Sequence, residues 1–216
     1  MLIASYNPRE LGDTLIVIVA PDAAEQAHTV RDGIARIYDS ATEKTLGYNF
    51  LAVSKILPNL TGNGQVTLTS DDVAALNQAL EDAGFAGELV AETDSRFVVG
   101  YVKTAKPHPD SDHLLVTETV VDHDQTVQIV SGSPNMQADI KVVVAKVGAM
   151  MPNGAIIWPG ELRGVASDGM ICSGRELGLA NAPQRPGALI LPDDYQVGEA
   201  FDFDRGQTIF TTATTN

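Results

Sequence analysis

Alternation of apolar and polar residues with a period of two dominates the first third of the chain. Between positions 28 and 38, Val30, Ile34 and Tyr38 alternate with charged residues, and between 46 and 56 the set Leu46, Tyr48, Phe50, Ala52 and Ile56 keeps that spacing. Both stretches predict half-exposed antiparallel strands, because successive side chains point to opposite faces of a sheet. Residues 1–6 and 15–20 read as two more strands, the second continuous and β-branched enough to predict burial on both faces. Asn59-Leu60-Thr61-Gly62-Asn63-Gly64 has loop chemistry and precedes a short strand at 66–68. The period then changes to that of a helix. Over 71–83, Val73, Leu76, Leu80 and Ala83 form one apolar face; Thr69 with Asp72 approximates a capping box, and Gly84 stands where a helix ends. These elements predict an α+β domain over residues 1–94.

After the polar joint Ala91-Glu92-Thr93-Asp94-Ser95, strands recur at 97–103, 114–121, 126–131 and 140–147, with Asp122-His123-Asp124 as a tight turn. Short strands at near-regular spacing predict a small all-β barrel. Residues 148–160 are turn-rich, with Pro152, Asn153-Gly154 and Pro159. The run 162–179 has small, turn-forming or singly charged residues and no helical stripe, so it reads as strand and loop facing a ligand. Beyond it, 201–203 and 208–212 read as edge strands and 213–216 as a frayed end. The barrel domain is placed at 95–205, with an extension at 206–216.

Composition sharpens this picture in one respect and complicates it in another. At 216 residues and 44% hydrophobic content the chain can build packed cores, and no apolar run approaches the ~20 residues of a membrane helix. The first residues lack the pattern of a secretory signal, so a cytoplasmic location is expected. One cysteine, Cys172, excludes an internal disulfide and cannot alone build a thiolate metal site. The complication is a net charge of −14, the reverse of the basic footprint of most nucleic-acid binders. Residues 1–96 hold 6 Lys+Arg against 14 Asp+Glu, a net of −8, and residues 97–200 hold 7 against 12, a net of −5. A nucleic-acid site here must be a local cluster.

Four pieces follow one another in order: Lys106-Pro107-His108-Pro109 with Asp112-His113-Leu114; Val130-Ser131-Gly132-Ser133-Pro134-Asn135; the run from Leu162 to Leu179; and Leu189-Ile190-Leu191-Pro192. Together they resemble the tRNA-binding oligonucleotide/oligosaccharide-binding (OB) fold of the phenylalanyl-tRNA synthetase β-subunit and the methionyl-tRNA synthetase C-terminal domain. The whole chain resembles the free-standing YtpR-type family, which sets an extra domain before this module. The resemblance implies a five-stranded Greek-key barrel and a non-catalytic protein that recognises tRNA by shape and backbone contacts, without a cofactor. It also brings in an aminoacyl-tRNA synthetase as partner and a homodimer, for which Leu177, Leu179 and Ile190 offer apolar contacts.

The RNA-facing residues it implies are His113, Asn135, Lys146, Arg163, Ser167, Met170 and Ser173, each with a plain structural alternative. Arg163 can grip a phosphate bidentately, or pair with Glu161 or Asp168. Ser167 and Ser173 can donate to phosphate or a 2′-OH, and Met170 can support an unstacked base or fill a core. Asn135 can read a base edge or make a turn. Lys146, like Lys103, can meet phosphate or guard a strand edge. His113 stands where relatives carry Lys, so a fixed charge is replaced by an imidazole mostly neutral at pH 7. Two other classes remain in view: a polypeptide-binding module like the export chaperones of similar signature, which suits the acidic balance, and a metal-dependent hydrolase resting on His108, Asp110, Asp112 and His113.

Overall fold

Asp32-Gly33 splits the predicted 28–38 strand into a hairpin in the computed structural model, which describes residues 1–210. Both turn residues have positive φ, 47° and 80°. Arg31 faces Ile34 across the turn, and an Asp-Gly pair meets the φ requirement of such a two-residue loop at little cost. The chain forms two units, Met1–Thr93 and Asp94–Asn216.

In the first unit β1 (Ile3–Tyr6), β2 (Thr14–Ile18), β3 (Gln26–Arg31), β4 (Ile34–Asp39), β5 (Thr45–Leu51) and β6 (Gly64–Val66) make an antiparallel sheet of order β3-β4-β5-β2-β1-β6. Strand β2 is not buried on both faces as its composition predicts. Leu15 and Val17 are buried while Thr14, Ile16 and Ile18 stay partly exposed, because apolar partners gather on one face. That face meets α1 (Ser70–Asp82): Val73, Leu76 and Leu80 share a core with Leu15, Val17, Tyr48 and Phe50. The helix start is a full capping box, Asp72 N–H donating to Thr69 Oγ1 at 3.1 Å and Thr69 N–H to Asp72 Oδ2 at 2.9 Å.

Asp13 pins the end of the β1–β2 turn. Its Oδ2 accepts from the Ser54 hydroxyl at 2.6 Å and its Oδ1 from the Tyr6 hydroxyl at 3.1 Å. The Ser54 hydrogen bond, above all, holds this carboxyl below its usual range despite partial desolvation. A depressed folded-state pKa contributes stability above the unfolded value and loses it as pH falls through the folded one. Asp13→Asn is therefore expected to flatten the acid limb of a stability profile measured by urea titration from pH 7 to pH 2, whereas an unchanged limb would mean the carboxylate contributes nothing.

The second unit contains β7 (Phe97–Pro107), β8 (Leu115–Val120), β9 (Thr126–Ser131), β10 (Ile140–Ala145), β11 (Gly160–Leu162), β12 (Val165–Ser167), β13 (Met170–Ile171) and α2 (Phe203–Gly206). Its five-stranded antiparallel sheet runs β13-β10-β7-β8-β9. Long β7 pairs with β10 through Phe97–Val102 and with β8 from Tyr101 onward, with a register shift between Val102 and Thr104, so one strand bends to serve two neighbours. Gly100 lies at this crowded turn of the wall: a Cβ there would stand 2.6 Å from Val144 Cγ2 and 3.0 Å from Thr119 Cγ2. The barrel nearly closes where Asp168 N–H donates to Gln128 O at 2.8 Å and Val130 N–H to Ser167 Oγ at 3.1 Å.

Other expectations need correction as well, among them the 46–56 strand, which ends at Leu51 and gives way to a short 3-10 turn over Val53–Lys55 after Ala52 takes a positive φ of 53°. Phe201 does bond β7, its N–H donating to Phe97 O at 2.9 Å, but Phe203 begins α2 rather than continuing a strand. Asp202 Oδ1 accepts from the N–H groups of Asp204 and Arg205 and caps that turn. Over its described residues the predicted 208–212 strand is a turn that continues from α2, Thr208 N–H donating to Arg205 O at 3.1 Å and Ile209 N–H to Gly206 O at 3.2 Å; residues 211–216, with the rest of that strand and the predicted frayed end, lie outside the described residues. Leu177 and Leu179 are buried in their own unit's core, which removes them from any contact with a second copy and leaves Ile190 exposed. Among the described residues no helix is long and apolar enough to cross a membrane.

Candidate nucleic-acid interface

A cleft of about 530 Å³ opens where β9, β11 and the segment around β13 meet, bounded by the Pro186-Gly187 loop. Its size falls within the about 300–1,000 Å³ of small-ligand sites. Gly169 makes one wall possible. It has φ 141°, and a Cβ there would lie 3.0 Å from Ala145 O, so the backbone passes closer to β10 than a larger residue permits.

The two serines line the cleft but are already engaged. Ser167 is 5% exposed; its Oγ accepts from Val130 N–H and donates to Gly169 O at 3.3 Å. Ser173 Oγ donates to Glu176 Oε2 at 2.7 Å, while Glu176 N–H donates back to Ser173 Oγ at 3.2 Å, a reciprocal cap on the turn that follows. Both hydroxyls therefore shape the wall. What the cleft offers a ligand is Met170 and Trp158, both partly exposed, with the exposed Arg175 and Glu161 at its edge. Trp158 is the only tryptophan of the chain. Its residue type was the available signal, within the turn-rich stretch 148–160, and periodicity gave no reason to single it out.

The other predicted residues fall elsewhere. Asn135 clasps the loop opposite, its Nδ2 donating to Ala188 O at 2.9 Å and its Oδ1 accepting from Ala188 N–H at 2.8 Å. It lines a second, smaller cleft of about 330 Å³ with Arg185 and Phe210. Arg163 sits at the tip of the β11–β12 hairpin with φ 48° and donates from Nη1 to Asp110 O at 2.8 Å. It pairs with neither Glu161 nor Asp168. His113 is exposed, its Nδ1 2.9 Å from Asp112 Oδ1; that hydrogen bond is the first cause holding the Asp112 carboxyl below its usual range, with Arg163 a lesser one. Lys146 is not free: its Nζ lies 2.6 Å from Asp122 Oδ2, with the two side chains 17% and 12% exposed.

Nor do the remaining chemical candidates assemble. His108 is 3% exposed with both ring nitrogens hydrogen-bonded, to Leu162 O at 2.9 Å and to Asp110 N–H at 3.0 Å, so it has no lone pair for a metal. Among the described residues the one group that could gather on an ion is Asp94, Asp122 and His123, and the Lys146 ammonium already occupies Asp122. Burial pushes the Cys172 thiol up to about 12, which removes it as a nucleophile near neutral pH.

Charge supplies the last part of the geometry. In the second unit Arg205 is tied to Asp194 and Glu199, and Lys141 donates to the carbonyls of Asp193 and Tyr195. Lys103, Lys106, Arg163, Arg175 and Arg185 are exposed and in no ion pair with a described residue. Arg175 borders the first cleft and Arg185 the second.

The family described as "Putative tRNA binding domain" matches residues 97–200, and a "Domain of unknown function (DUF4479)" matches residues 21–92. The "Putative tRNA-binding protein YtpR" of Bacillus subtilis is 42% identical over 201 residues, covering 93% of this chain and 99% of that protein. The phenylalanine–tRNA ligase β subunit of Idiomarina loihiensis is 44% identical over 129 residues, which are 58% of this chain and only 16% of that subunit. Among solved structures, the C-terminal domain of Plasmodium vivax p43 aligns with 48% of this chain and 56% of its own at 26% identity, with a TM-score of 0.35.

Proposed function

This chain belongs to the YtpR family of tRNA-binding proteins, and on that premise we propose that its second unit binds tRNA through the cleft beside β11 and β13. The observation that carries the proposal is the meeting, inside the family-matched stretch, of Trp158 and Met170 with the unpaired Arg175. An indole face accepts any unstacked base, a thioether adapts to its outline, and a guanidinium holds the neighbouring phosphate. Arg163 and His113 extend the surface along the hairpin and the preceding loop, while Ser167, Ser173 and Asn135 hold the walls in place. The protein works by binding alone.

The finer reading is a Greek-key OB barrel for residues 95–205, an α+β domain of unassigned activity for 1–94, and a cytoplasmic site of action. An aminoacyl-tRNA synthetase sharing the same tRNA and a second copy of the chain are the further partners of this reading.

Five exposed cations in no ion pair with a described residue, on an acidic unit, imply a shallow salt dependence. We expect a slope of log affinity against log salt of about −2 to −4 for tRNA, since each phosphate contact contributes about −0.7 to −0.9. Trp158→Ala is expected to cost about 1–3 kcal/mol, the worth of one stacked base, without altering that slope. Arg175→Ala should lower the slope by one contact. Fluorescence anisotropy with labelled tRNA at several salt concentrations measures both; peptide binding in place of tRNA binding would move the cleft to the chaperone class.

A further inference from the structure

The β11–β12 hairpin pairs only with itself as a sheet; its base is held to β9 by Asp168 N–H on Gln128 O and Gln128 Nε2 on Ala166 O, both at 2.8 Å, so the direction of its tip depends on further ties. Two of those ties run to the 107–113 loop, and they run in opposite senses. From the loop, His108 reaches the hairpin: its Nδ1 accepts from Asp110 N–H at 3.0 Å, which leaves the ring proton on Nε2, 2.9 Å from Leu162 O. From the hairpin, Arg163 reaches back, Nη1 donating to Asp110 O at 2.8 Å. The same His108 is fixed through its backbone, its N–H donating to Leu114 O at 3.0 Å. Arg163 and Gly164 form the two-residue turn between paired Leu162 and Val165, with φ 48° and 77°, a geometry that aims the arginine away from its own strands.

We propose, resting on the tRNA-binding reading above, that His108 is a positioning residue: it locks the loop to the hairpin so that Arg163 meets an RNA phosphate already oriented. One guanidinium N–H is spent on Asp110 O, and four remain for oxygen acceptors outside the protein. His108 itself is buried and touches no ligand. Its effect on the phosphate contact passes through the arginine, so loss of either residue removes the same ionic contact.

The test compares His108→Ala, His108→Gln, His108→Asn, Arg163→Ala and the double variant His108→Ala/Arg163→Ala, in the full chain, for tRNA affinity across salt. Gln places an amide N–H near the Nε2 position and reaches Leu162 O; Asn is too short to do so. His108→Ala and His108→Asn are expected to lower the salt slope by about 0.7–0.9, as Arg163→Ala does, with His108→Gln restoring it. The double variant should show the same salt slope as Arg163→Ala. A slope unchanged in His108→Asn, or a double variant whose slope falls by two contacts instead of one, would overturn the proposal. If His108→Ala does not fold, the Gln and Asn pair alone decides it. Trp158, two residues before β11, gives a readout without RNA: acrylamide quenching should rise in His108→Asn and return in His108→Gln. That pattern in a protein with no tRNA affinity would keep the lock and sink the binding reading, and with it the role of Arg163. Quenching equal in both variants would sink the lock whatever the RNA result.

Discussion

Leu76→Ala is expected to destabilise the first unit by about 2–5 kcal/mol, the range for deleting a fully buried leucine side chain and leaving a cavity. Leu76 is 0% exposed, on the face of α1 that packs against Leu15, Val17, Tyr48 and Phe50. The sheet it covers cannot easily collapse into the space, because its antiparallel ladders hold the strands in register. The sole tryptophan lies in the second unit, so two probes separate the outcomes. Urea unfolding followed by far-ultraviolet circular dichroism should shift to lower denaturant, while the Trp158 fluorescence midpoint and tRNA affinity stay where they were. A fluorescence midpoint that moves with the dichroism would show that the units unfold as one.

Asp122→Ala carries the second large effect. Lys146 Nζ and Asp122 Oδ2 are 2.6 Å apart with little of either side chain exposed, and removing the acid strands an ammonium in poor solvent. Breaking such a pair costs about 3–5 kcal/mol when burial is complete, and residual exposure puts this case near the lower end. Replacing both partners, as Asp122→Leu with Lys146→Met, should recover most of that loss, because no charge is then left alone. The same double variant speaks to RNA binding. With Lys146 spent on Asp122, its removal should leave the salt slope of tRNA binding unchanged; a slope reduced by one contact would return Lys146 to the RNA surface.

Parts of the molecule are written locally and could be read without a structure. The helix of the first unit is one: Val73, Leu76 and Leu80 lie one or two turns apart, and Thr69 caps a group three residues away, so every interaction that defines it falls inside a short window. The strands of the barrel are another, since a period of two within six residues is enough to mark a strand. Even the hairpin at Asp32-Gly33 was legible in its turn pair, although the unbroken alternation on either side disguised it as a single strand. The ordered motifs from Lys106 to Pro192 likewise pointed to the family on sequence alone.

The candidate site was legible only in part, for a reason of distance along the chain. Whether a lysine is free or spent depends on what lies beside it in space, and Lys146 finds its acid 24 residues away. Whether a histidine offers a ligand or a hydrogen bond depends on its neighbours too, and those of His108 include a carbonyl 54 residues on. Nothing in the spacing of Trp158, Met170 and Arg175 announces a cleft. Barrel closure brings them together by joining β9 to the end of β12 and the residue that follows it. Sequence by itself determined the first unit's helix, most of the strands, their order and the family, because propensity, capping and periodicity act between near neighbours. Tertiary structure decided which side chains remain available to a ligand, because burial and charge pairing are set by whatever the fold places alongside.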